Sequence, residues 1–244
     1  MIRFVTSFSP EGYEQYAKNM LFSVIKYWKD DLQLIAYHHD MPQDVVNEFP
    51  VGRNIEYRNL NDVPDMLAYR EAMKEHDGTG DGKLPYNWRL DAIKWCHKVY
   101  AMTDTSLQIT ESEVRGGWLI WLDADTVTTR PLSEEKIKEF LNDKAEISHL
   151  GRTAADYSET SFVAFNLDYQ APHLLLADLR GCYDTGEVVA YREWHDGFIF
   201  SRLLNIYTAH GMKVQNLSPT VKNLDAFGVS PLAYYMKHFK GNKK

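Results

Sequence analysis

The sequence predicts one α/β domain built on a largely parallel sheet, and three observations support this fold class. Strand-like segments alternate with helix-like segments through the first half of the chain, as they do in βαβ units. The charge-free run Gly-Trp-Leu-Ile-Trp-Leu at residues 117–122 has the composition of a central strand that is covered on both faces. The length of 244 residues and the hydrophobic fraction of 44% allow one large core, and no linker or repeat divides the chain. We therefore expect a single domain over residues 1–244.

The first half of the chain supplies three predicted strand–helix pairs. Each strand is a short apolar run, and each helix has apolar residues at helical spacing. The turn at residues 9–12, Ser-Pro-Glu-Gly, leads from the first strand into the first helix. The strands cover residues 2–8, 32–38 and 55–60, and the helices cover residues 13–28, 42–49 and 62–75.

A glycine- and aspartate-rich segment at residues 76–83 interrupts this alternation. Its composition suggests a calcium loop, but the acid that such a loop needs at its end is missing, and Lys83 stands near that position. We therefore expect a mobile surface loop, with a lid over a ligand as the alternative.

The next helix is predicted over residues 88–102 because apolar residues recur there at helical spacing. Its apolar stripe consists of Ile93, Cys96, Val99 and Tyr100. Its polar face consists of Arg89, Asp91, Lys94 and Lys98. Two interpretations of that face remain open: a solvated face with intrahelical ion pairs, or a basic helix end that lies under a diphosphate or a base.

The second half of the chain continues with strands and helices. Ser133 precedes two glutamates and a lysine, which predicts a helix that begins with Ser133 as its N-cap. In the last helix Phe198, Leu203 and Ile206 should point inward. Residues 218–244 lack strong periodicity and are expected to form a tail over the body of the domain. The strands cover residues 147–150, 161–167 and 213–217, and the remaining helices cover residues 171–179 and 194–208.

Composition argues against several classes of function. The formal net charge of −7 disfavours non-specific binding to phosphate backbones, although it is compatible with a local basic groove. Cys96 and Cys182 lie in helix-like apolar patterns without metal or redox spacing, so we expect buried thiols and no disulfide. The N-terminus is strand-like and no long apolar run occurs. We therefore expect a cytoplasmic protein without a signal peptide or transmembrane segment.

Two acids, Asp123 and Asp125, directly follow the predicted central strand. Open α/β sheets bind their ligands at the carboxyl ends of strands, and two carboxylates one residue apart can share a hard divalent cation that bridges to substrate phosphates. The last seven residues, His-Phe-Lys-Gly-Asn-Lys-Lys, add a third potential ligand in His238, with a glycine and a lysine at fixed spacing. Together these features predict an enzyme that handles a metal-bound nucleotide diphosphate.

An apolar strand followed by Asp-x-Asp resembles the motifs of two different enzyme families. Residues 123–127, Asp-Ala-Asp-Thr-Val, resemble the nucleophilic motif of haloacid-dehalogenase phosphatases, in which Asp123 would be the nucleophile. That family carries the motif near its N-terminus and needs a later acidic pair. Here about half the chain precedes the motif, and no Asp-Asp or Gly-Asp pair follows it.

Residues 118–125 also resemble the Asp-x-Asp strand of the GT-A fold, the Rossmann-like, mostly parallel mixed sheet of nucleotide-sugar glycosyltransferases. The arrangement His238-x-x-Gly241-x-x-Lys244 is similar to a motif of family 8, the glycogenin and lipopolysaccharide galactosyltransferase group. This resemblance implies that residues 218–244 close over a nucleotide site.

The resemblance also implies roles for individual residues. Asp196 would be the catalytic carboxylate that faces the sugar, with Glu159 behind it, although the glutamine that family 8 carries next to its aspartate is absent here. Mn²⁺ or Mg²⁺ would be held by Asp123, Asp125 and His238. The nucleotide and the donor sugar would be contacted by Ser7, Arg89, Lys94, Asp123, Asn166, Gly241 and Lys244. Aromatic faces available for stacking on a sugar or base are Trp88, Tyr183, Tyr191 and Trp194.

The sequence thus predicts a metal-dependent glycosyltransferase that moves a sugar from a UDP-sugar to a hydroxyl acceptor with retention of configuration. Two alternatives stay open: a phosphatase that uses Asp123 as nucleophile, and a non-catalytic module that binds carbohydrate or an ion. The acceptor classes that remain are a glycan, a lipid-linked glycan, a protein and a modified nucleobase.

Overall fold

The computed structural model describes residues 1–80, 85–113, 116–152, 157–218 and 225–239. The strands are β1 Ile2–Phe8, β2 Leu32–His38, β3 Ile55–Asn59, β4 Trp118–Leu122, β5 Thr126–Thr128, β6 Ile147–Leu150, β7 Glu159–Asn166, β8 Val214–Asn216 and β9 Met236–His238. The helices are α1 Pro10–Gly12, α2 Lys18–Tyr27, α3 Gln43–Val46, α4 Pro64–Ala72, α5 Ala92–Glu111, α6 Glu134–Lys138, α7 Gln170–Asp184 and α8 Asp196–Ala209. A π-helical turn at Tyr13–Ala17 joins α1 to α2, and 3₁₀ turns lie at Leu60–Asp62, Trp88–Leu90, Glu187–Ala190 and Pro231–Tyr234.

Within the described ranges, seven strands form one sheet in the order β3-β2-β1-β4-β7-β6-β8. The strands β3, β2, β1 and β4 run parallel to one another, whereas β7 is antiparallel to both β4 and β6. The strand β8 is parallel to β6. The sheet is therefore mixed and mostly parallel, as predicted. Because β7 is its one reversed strand, the amino end of β7 lies beside the carboxyl end of β4.

The sheet separates two hydrophobic cores, because successive side chains of a strand point to opposite faces. On β4, Leu119 and Trp121 pack into one core, and Trp118, Ile120 and Leu122 pack into the other. The first core also contains residues of α5, α7 and α8, and the second contains residues of α2. All five β4 side chains are buried, which confirms the predicted central strand.

Several local predictions agree with the structure. Ser133 caps α6, since its side chain accepts a hydrogen bond from the Lys136 N–H. Cys96 and Cys182 are buried free thiols. Within the ranges that the structure describes, no helix is both long enough and apolar enough to cross a bilayer.

Other predictions need correction. The helix predicted over residues 88–102 begins as a 3₁₀ turn and then continues as α5 to Glu111, because no glycine or proline interrupts it. Ile206, which was expected to face inward, is 51% exposed. The strands β5 and β9 were not predicted, because three-residue strands carry too little periodicity to be recognised. Of the predicted loop at 76–83, residues 81–83 lie outside the described ranges.

Candidate functional site

A cleft with a volume of about 930 Å³ lies at the edge of the sheet where β1, β2 and β4 end. Because β7 runs antiparallel to β4, its first residues, Glu159 and Thr160, lie at the same edge as Asp123 and Asp125. Ligand pockets in proteins typically measure ~300–1,000 Å³. The cleft is therefore large enough for an extended ligand.

The predicted metal ligands Asp123, Asp125 and His238 meet in this cleft, with one ligand atom from each within 4.8 Å of the others. The His238 Nε2 atom lies 3.0 Å from Asp125 Oδ1 and 3.8 Å from Asp123 Oδ2. In an octahedral site with bonds of ~2.1 Å, adjacent donors are about 3 Å apart and opposite donors about 4.2 Å apart. Two carboxylates and an imidazole are ligands of divalent cations, and these three lie close enough together that they could hold one. We refer to these three residues as the metal-ligand cluster.

A two-stranded ribbon brings His238 to the two acids. The strand β5 begins directly after Asp125 and pairs with β9, so that Thr126 lies opposite His238. The Phe239 N–H donates to the carbonyl oxygen of Asp125 at 3.0 Å, and the Thr129 N–H donates to the carbonyl oxygen of Tyr235 at 2.8 Å. Backbone hydrogen bonds thus hold the two halves of the metal-ligand cluster in register.

Three acids, Asp123, Asp125 and Glu159, keep His238 protonated. Burial lowers the pKa of His238, but hydrogen bonds to Asp125 and Glu159 and the nearby charges of Asp123 and Asp125 outweigh burial and raise that pKa to about 9. The imidazole is therefore protonated at neutral pH in the metal-free protein. Binding of a cation to Nε2 must release this proton, so metal affinity depends on pH.

Glu159 lies behind His238, on the side away from the two aspartates. Its Oε1 atom is 3.3 Å from His238 Nδ1, and its Oε2 atom accepts a hydrogen bond from Arg152 at 2.7 Å. The side chain is almost completely buried. A carboxylate on the outer nitrogen of a metal-binding histidine fixes the ring orientation. The structure thus gives Glu159 a contact with a metal ligand, whereas the sequence placed it behind Asp196.

Lys98 connects Asp123 to Asp196 and was not predicted as a site residue. Its Nζ atom lies 3.2 Å from Asp123 Oδ1 and 3.0 Å from Asp196 Oδ2, and it also donates to the carbonyl oxygen of Thr160. Burial lowers the pKa of Lys98, but the two carboxylates outweigh burial, so the pKa is raised and the amine stays charged. The sequence placed Lys98 on the polar face of the helix. Helical spacing alone does not reveal that Asp123 and Asp196 are its partners.

Asp196 is the first residue of α8 and lines the cleft. Burial raises its pKa, but the charges of Lys98 and His195 and the hydrogen bond from Thr160 outweigh burial and lower the pKa below the usual value. The Thr160 hydroxyl donates to Asp196 Oδ2 at 2.6 Å. Asp196 is therefore an ionised, firmly held carboxylate next to the metal-ligand cluster.

The predicted nucleotide contacts Ser7, Arg89 and Lys94 all line the cleft. Arg89 and Lys94 are exposed, whereas Asp91 and Lys98 of the same polar face are buried. The ion pairs of Arg89 and Lys98 are with residues outside the helix, whereas the first interpretation expected pairs within it. Sequence reasoning missed the stacked rings of His39 and His97, whose centroids lie 3.7 Å apart at an angle of 7° between the planes. Both rings also line the cleft, on the side of β2.

Of the predicted site residues that the structure describes, Asn166 does not line the cleft. Asn166 ends β7 opposite Trp118, at the far edge of the sheet, where its side chain donates to the carbonyl oxygen of Ala145 at 3.3 Å. Because β7 runs antiparallel to β4, the structure places Asn166 away from Asp123 and Asp125, and its expected contact with the donor sugar stays a prediction. Gly241 and Lys244 lie outside the described residues.

The comparisons with known proteins identify a similar fold but no matching family. No protein-family model matches the chain, and no curated protein matches it. Among solved structures, the apo structure of the bifunctional glycosyltransferase WbbM superposes with a TM-score of 0.55 at 12% identity, over 100% of this chain and 46% of that chain. The crystal structure of mouse xyloside xylosyltransferase 1 in its apo form gives a TM-score of 0.49 at 14% identity, over 89% and 86% of the two chains.

The likeness to WbbM concerns the fold alone, and this chain spans less than half the length of the WbbM chain. Together with the mixed seven-stranded sheet flanked by helices, it confirms the predicted GT-A fold class. The resemblance to family 8 is not tested by these comparisons and stays a prediction.

Proposed function

We propose that this protein is a metal-dependent glycosyltransferase that transfers a sugar from a UDP-sugar to a hydroxyl acceptor with retention of configuration. The observation that carries the proposal is the convergence of Asp123, Asp125 and His238 at the carboxyl edge of a GT-A sheet. This is the edge at which open α/β sheets bind their ligands. Such a donor set suits an ion that is shared with a diphosphate.

In the proposed reaction, Asp123, Asp125 and His238 hold Mn²⁺ or Mg²⁺. When bound, the ion supplies electrostatic stabilisation of the departing diphosphate. Asp196 faces the sugar and opposes the positive charge that develops near its anomeric carbon. Lys98 and Thr160 hold this carboxylate ionised and in place, so Lys98 acts as a positioning residue that links the sugar side to the metal side of the cleft.

The nucleoside belongs at the β1–β2 side of the cleft in this proposal. Ser7 at the end of β1 and the stacked pair His39–His97 line that side. Burial lowers the pKa of both imidazoles, to about 3 for His97, so both rings are neutral at pH 7. Neutral, flat rings and a hydroxyl suit a base and a ribose better than they suit a phosphate.

The phosphatase alternative is not favoured by any contact in the site. Asp123, which would be its nucleophile, accepts hydrogen bonds from Trp121 Nε1 at 2.6 Å and from Lys98 at 3.2 Å through the same oxygen. The acids share the cleft with His238 of the ribbon, and the further acids Glu159 and Asp196 are not the adjacent pair that the phosphatase family carries. A non-catalytic module remains the competing hypothesis for the experiment below.

Calorimetric titration with UDP in the presence and absence of Mn²⁺ tests the proposal. We expect UDP binding that requires Mn²⁺ and that is lost in Asp125→Ala, because this substitution removes one of three metal donors. The matched control is Asp30→Ala, which removes an aspartate whose side chain is 79% exposed. Unchanged UDP binding in the absence of metal would refute the metal-dependent mechanism. Metal-dependent binding without any hydrolysis or transfer of UDP-sugars would leave the non-catalytic module as the correct function.

A further inference from the structure

A cluster of four rings from the start of α5 and from the residues that precede β7 and α8 lines the cleft. His195 lies at its centre, with ring centroids 5.0 Å from Trp88, 6.0 Å from Trp95 and 4.6 Å from Tyr157. The rings of Trp88 and Trp95 meet edge to face, 6.0 Å apart at 70°. We call these four residues the aromatic wall. The sequence offered Trp88 for stacking on a sugar or base, and the proposed function gives the other three rings no role.

The aromatic wall is not explained by core packing. In the part of the chain that the structure describes, Trp88 and Trp95 belong to neither hydrophobic core, and Tyr157 only borders one. Both tryptophans and Tyr157 are partly buried, so part of each ring faces the cleft. By contrast, Tyr183, which the sequence offered as an equal candidate for stacking, is fully buried in the core. Partly exposed tryptophans in a concave site are typical of ligand-binding surfaces.

The aromatic wall is held rigidly. His195 is 3% exposed, its Nε2 atom lies 3.0 Å from Glu193 Oε2, and its Nδ1 atom accepts a hydrogen bond from the Phe198 N–H at 3.3 Å. The Trp95 indole N–H donates to the carbonyl oxygen of Trp88 at 2.7 Å. Rings that are fixed before binding lose little conformational freedom when a ligand stacks on them.

Polar groups frame the aromatic wall. The Arg89 guanidinium lies 4.6 Å from the Trp88 ring centroid, and its Nε atom lies 3.4 Å from Glu193 Oε2. Asp196 follows His195 directly in the sequence. Flat apolar faces beside charged hydrogen-bonding groups match a pyranose or furanose ring, which has C–H groups on its faces and hydroxyls at its edge.

We infer that the aromatic wall is the acceptor subsite and that the acceptor is a sugar ring, that is, a glycoside. This inference rests on the proposed function. In that proposal Asp196 faces the donor sugar, and Asp196 directly follows His195 of the aromatic wall, so an acceptor ring on the wall would lie next to the donor sugar. The net charge of −7 disfavours a polyanionic acceptor such as DNA.

The group transfer balances as follows. The acceptor hydroxyl oxygen forms a bond to the anomeric carbon of the donor sugar, and the bond from that carbon to the β-phosphate oxygen breaks. The electron pair of the broken bond stays on the diphosphate, and the proton of the acceptor hydroxyl goes to that same diphosphate oxygen. Stacking of the acceptor ring on the aromatic wall orients its hydroxyl for this attack.

The test is saturation-transfer NMR of the full chain with UDP and Mn²⁺ present at saturation. The probes are the methyl glycosides of glucose, galactose, mannose, N-acetylglucosamine and xylose, with the nucleoside 5-hydroxymethyl-2′-deoxycytidine and a serine–threonine peptide as competing acceptor classes. We expect at least one glycoside to bind, and we expect Trp88→Ala to weaken its binding by about tenfold while Trp88→Phe restores most of it. The matched control is Phe22→Ala, which removes an aromatic side chain that is 53% exposed on α2.

The outcomes separate this inference from the proposed function. If wild-type protein binds UDP with Mn²⁺ but no glycoside, or if only the nucleoside or the peptide binds, the sugar-acceptor inference is wrong and the proposed donor chemistry survives. If Trp88→Ala weakens UDP binding as much as glycoside binding, the aromatic wall belongs to the donor site and the inference is wrong again. If wild-type protein does not bind UDP, the proposed function itself fails.

Discussion

At the scale of single residues, the site depends on charged groups that hold other charged groups in place. Lys98 bridges Asp123 and Asp196, and Glu159 contacts the outer nitrogen of His238. All of these side chains except Asp123 are nearly or fully buried. Buried charges of this kind are costly unless they are paired, so each one restricts the position of its neighbour. Under the proposed function, these contacts hold Asp196 and the candidate metal ligand His238 in position.

Glu159→Gln should weaken Mn²⁺ binding by roughly 10- to 100-fold, the usual effect of losing the partner of a metal-binding histidine. The physical reason is that a neutral amide no longer favours the ring orientation that points Nε2 at the two aspartates. Calorimetric titration with Mn²⁺ alone, without nucleotide, measures this effect directly. The control is Glu139→Gln on the surface, with a side chain that is 52% exposed. Equal Mn²⁺ affinities in wild type and Glu159→Gln, with both proteins folded by circular dichroism, would contradict the role given to Glu159.

At the scale of secondary-structure elements, the ribbon of β5 and β9 joins the middle of the chain to its last described segment. The three-residue strands are short, yet they place His238 opposite Thr126 and next to the two aspartates. The ribbon is separate from the main sheet, so its register depends on its own hydrogen bonds. Metal binding should therefore be sensitive to the backbone of β9.

Phe239→Pro should lower Mn²⁺ affinity by up to about tenfold, because proline removes the N–H that donates to the carbonyl oxygen of Asp125. Phe239→Leu keeps that N–H and is the matched control for loss of the ring. Urea unfolding of both variants checks that the global stability is retained. An equal loss of Mn²⁺ affinity in both variants would show that the side chain, and not the hydrogen bond, is what matters.

At the scale of the whole molecule, burial keeps two imidazoles neutral. Burial lowers the pKa of His149 to about 4 and that of His97 to about 3, from an ordinary value of 6.5. The unfolded chain therefore takes up these protons before the folded chain does as the pH falls. His238 behaves in the opposite way, because its pKa is raised to about 9 in the metal-free protein.

The metal-free protein should consequently be most stable near pH 6.5. Below that pH the free energy of unfolding should fall, by on the order of 3 kcal/mol at pH 4 for each of the two residues, because the unfolded state binds protons that His149 and His97 largely do not accept in the folded state. Above pH 6.5, the contribution of protonated His238 should be lost as the pH rises through about 9. Urea unfolding between pH 4 and pH 9.5 measures the free energy of unfolding on both sides of this maximum.

Two variants test the loss of stability on the acid side of this pH profile. His149→Gln should flatten the acid side, whereas replacement of the exposed His210 by Gln should not. Saturating Mn²⁺ should remove the loss of stability on the alkaline side, because a bound cation takes the place of the proton on His238. A stability that rises steadily from pH 6.5 to pH 4 would overturn the assignment of neutral, buried imidazoles.

The parts of the fold that could be predicted are those with a strong local pattern. The β4 run is apolar at every position and its side chains are buried in both cores, so its central place followed from composition alone. The position of Asp123 and Asp125 after this strand put them at the ligand-binding edge. The direction of β7 could not be predicted, because an apolar run has the same composition in either direction, and this direction decides at which edge of the sheet Asn166 lies.

The candidate site likewise has a part that the sequence predicted and a part that it did not. The sequence by itself determined the fold class and the chemistry of the metal-ligand cluster, because strand periodicity and the spacing of acids are local properties of the chain. Only the tertiary structure decided that Lys98 bridges two carboxylates, that Glu159 contacts His238, and that Trp88, Trp95, Tyr157 and His195 form one wall. These residues come from different elements, and the distances between them depend on strand order and helix packing, which no local pattern records.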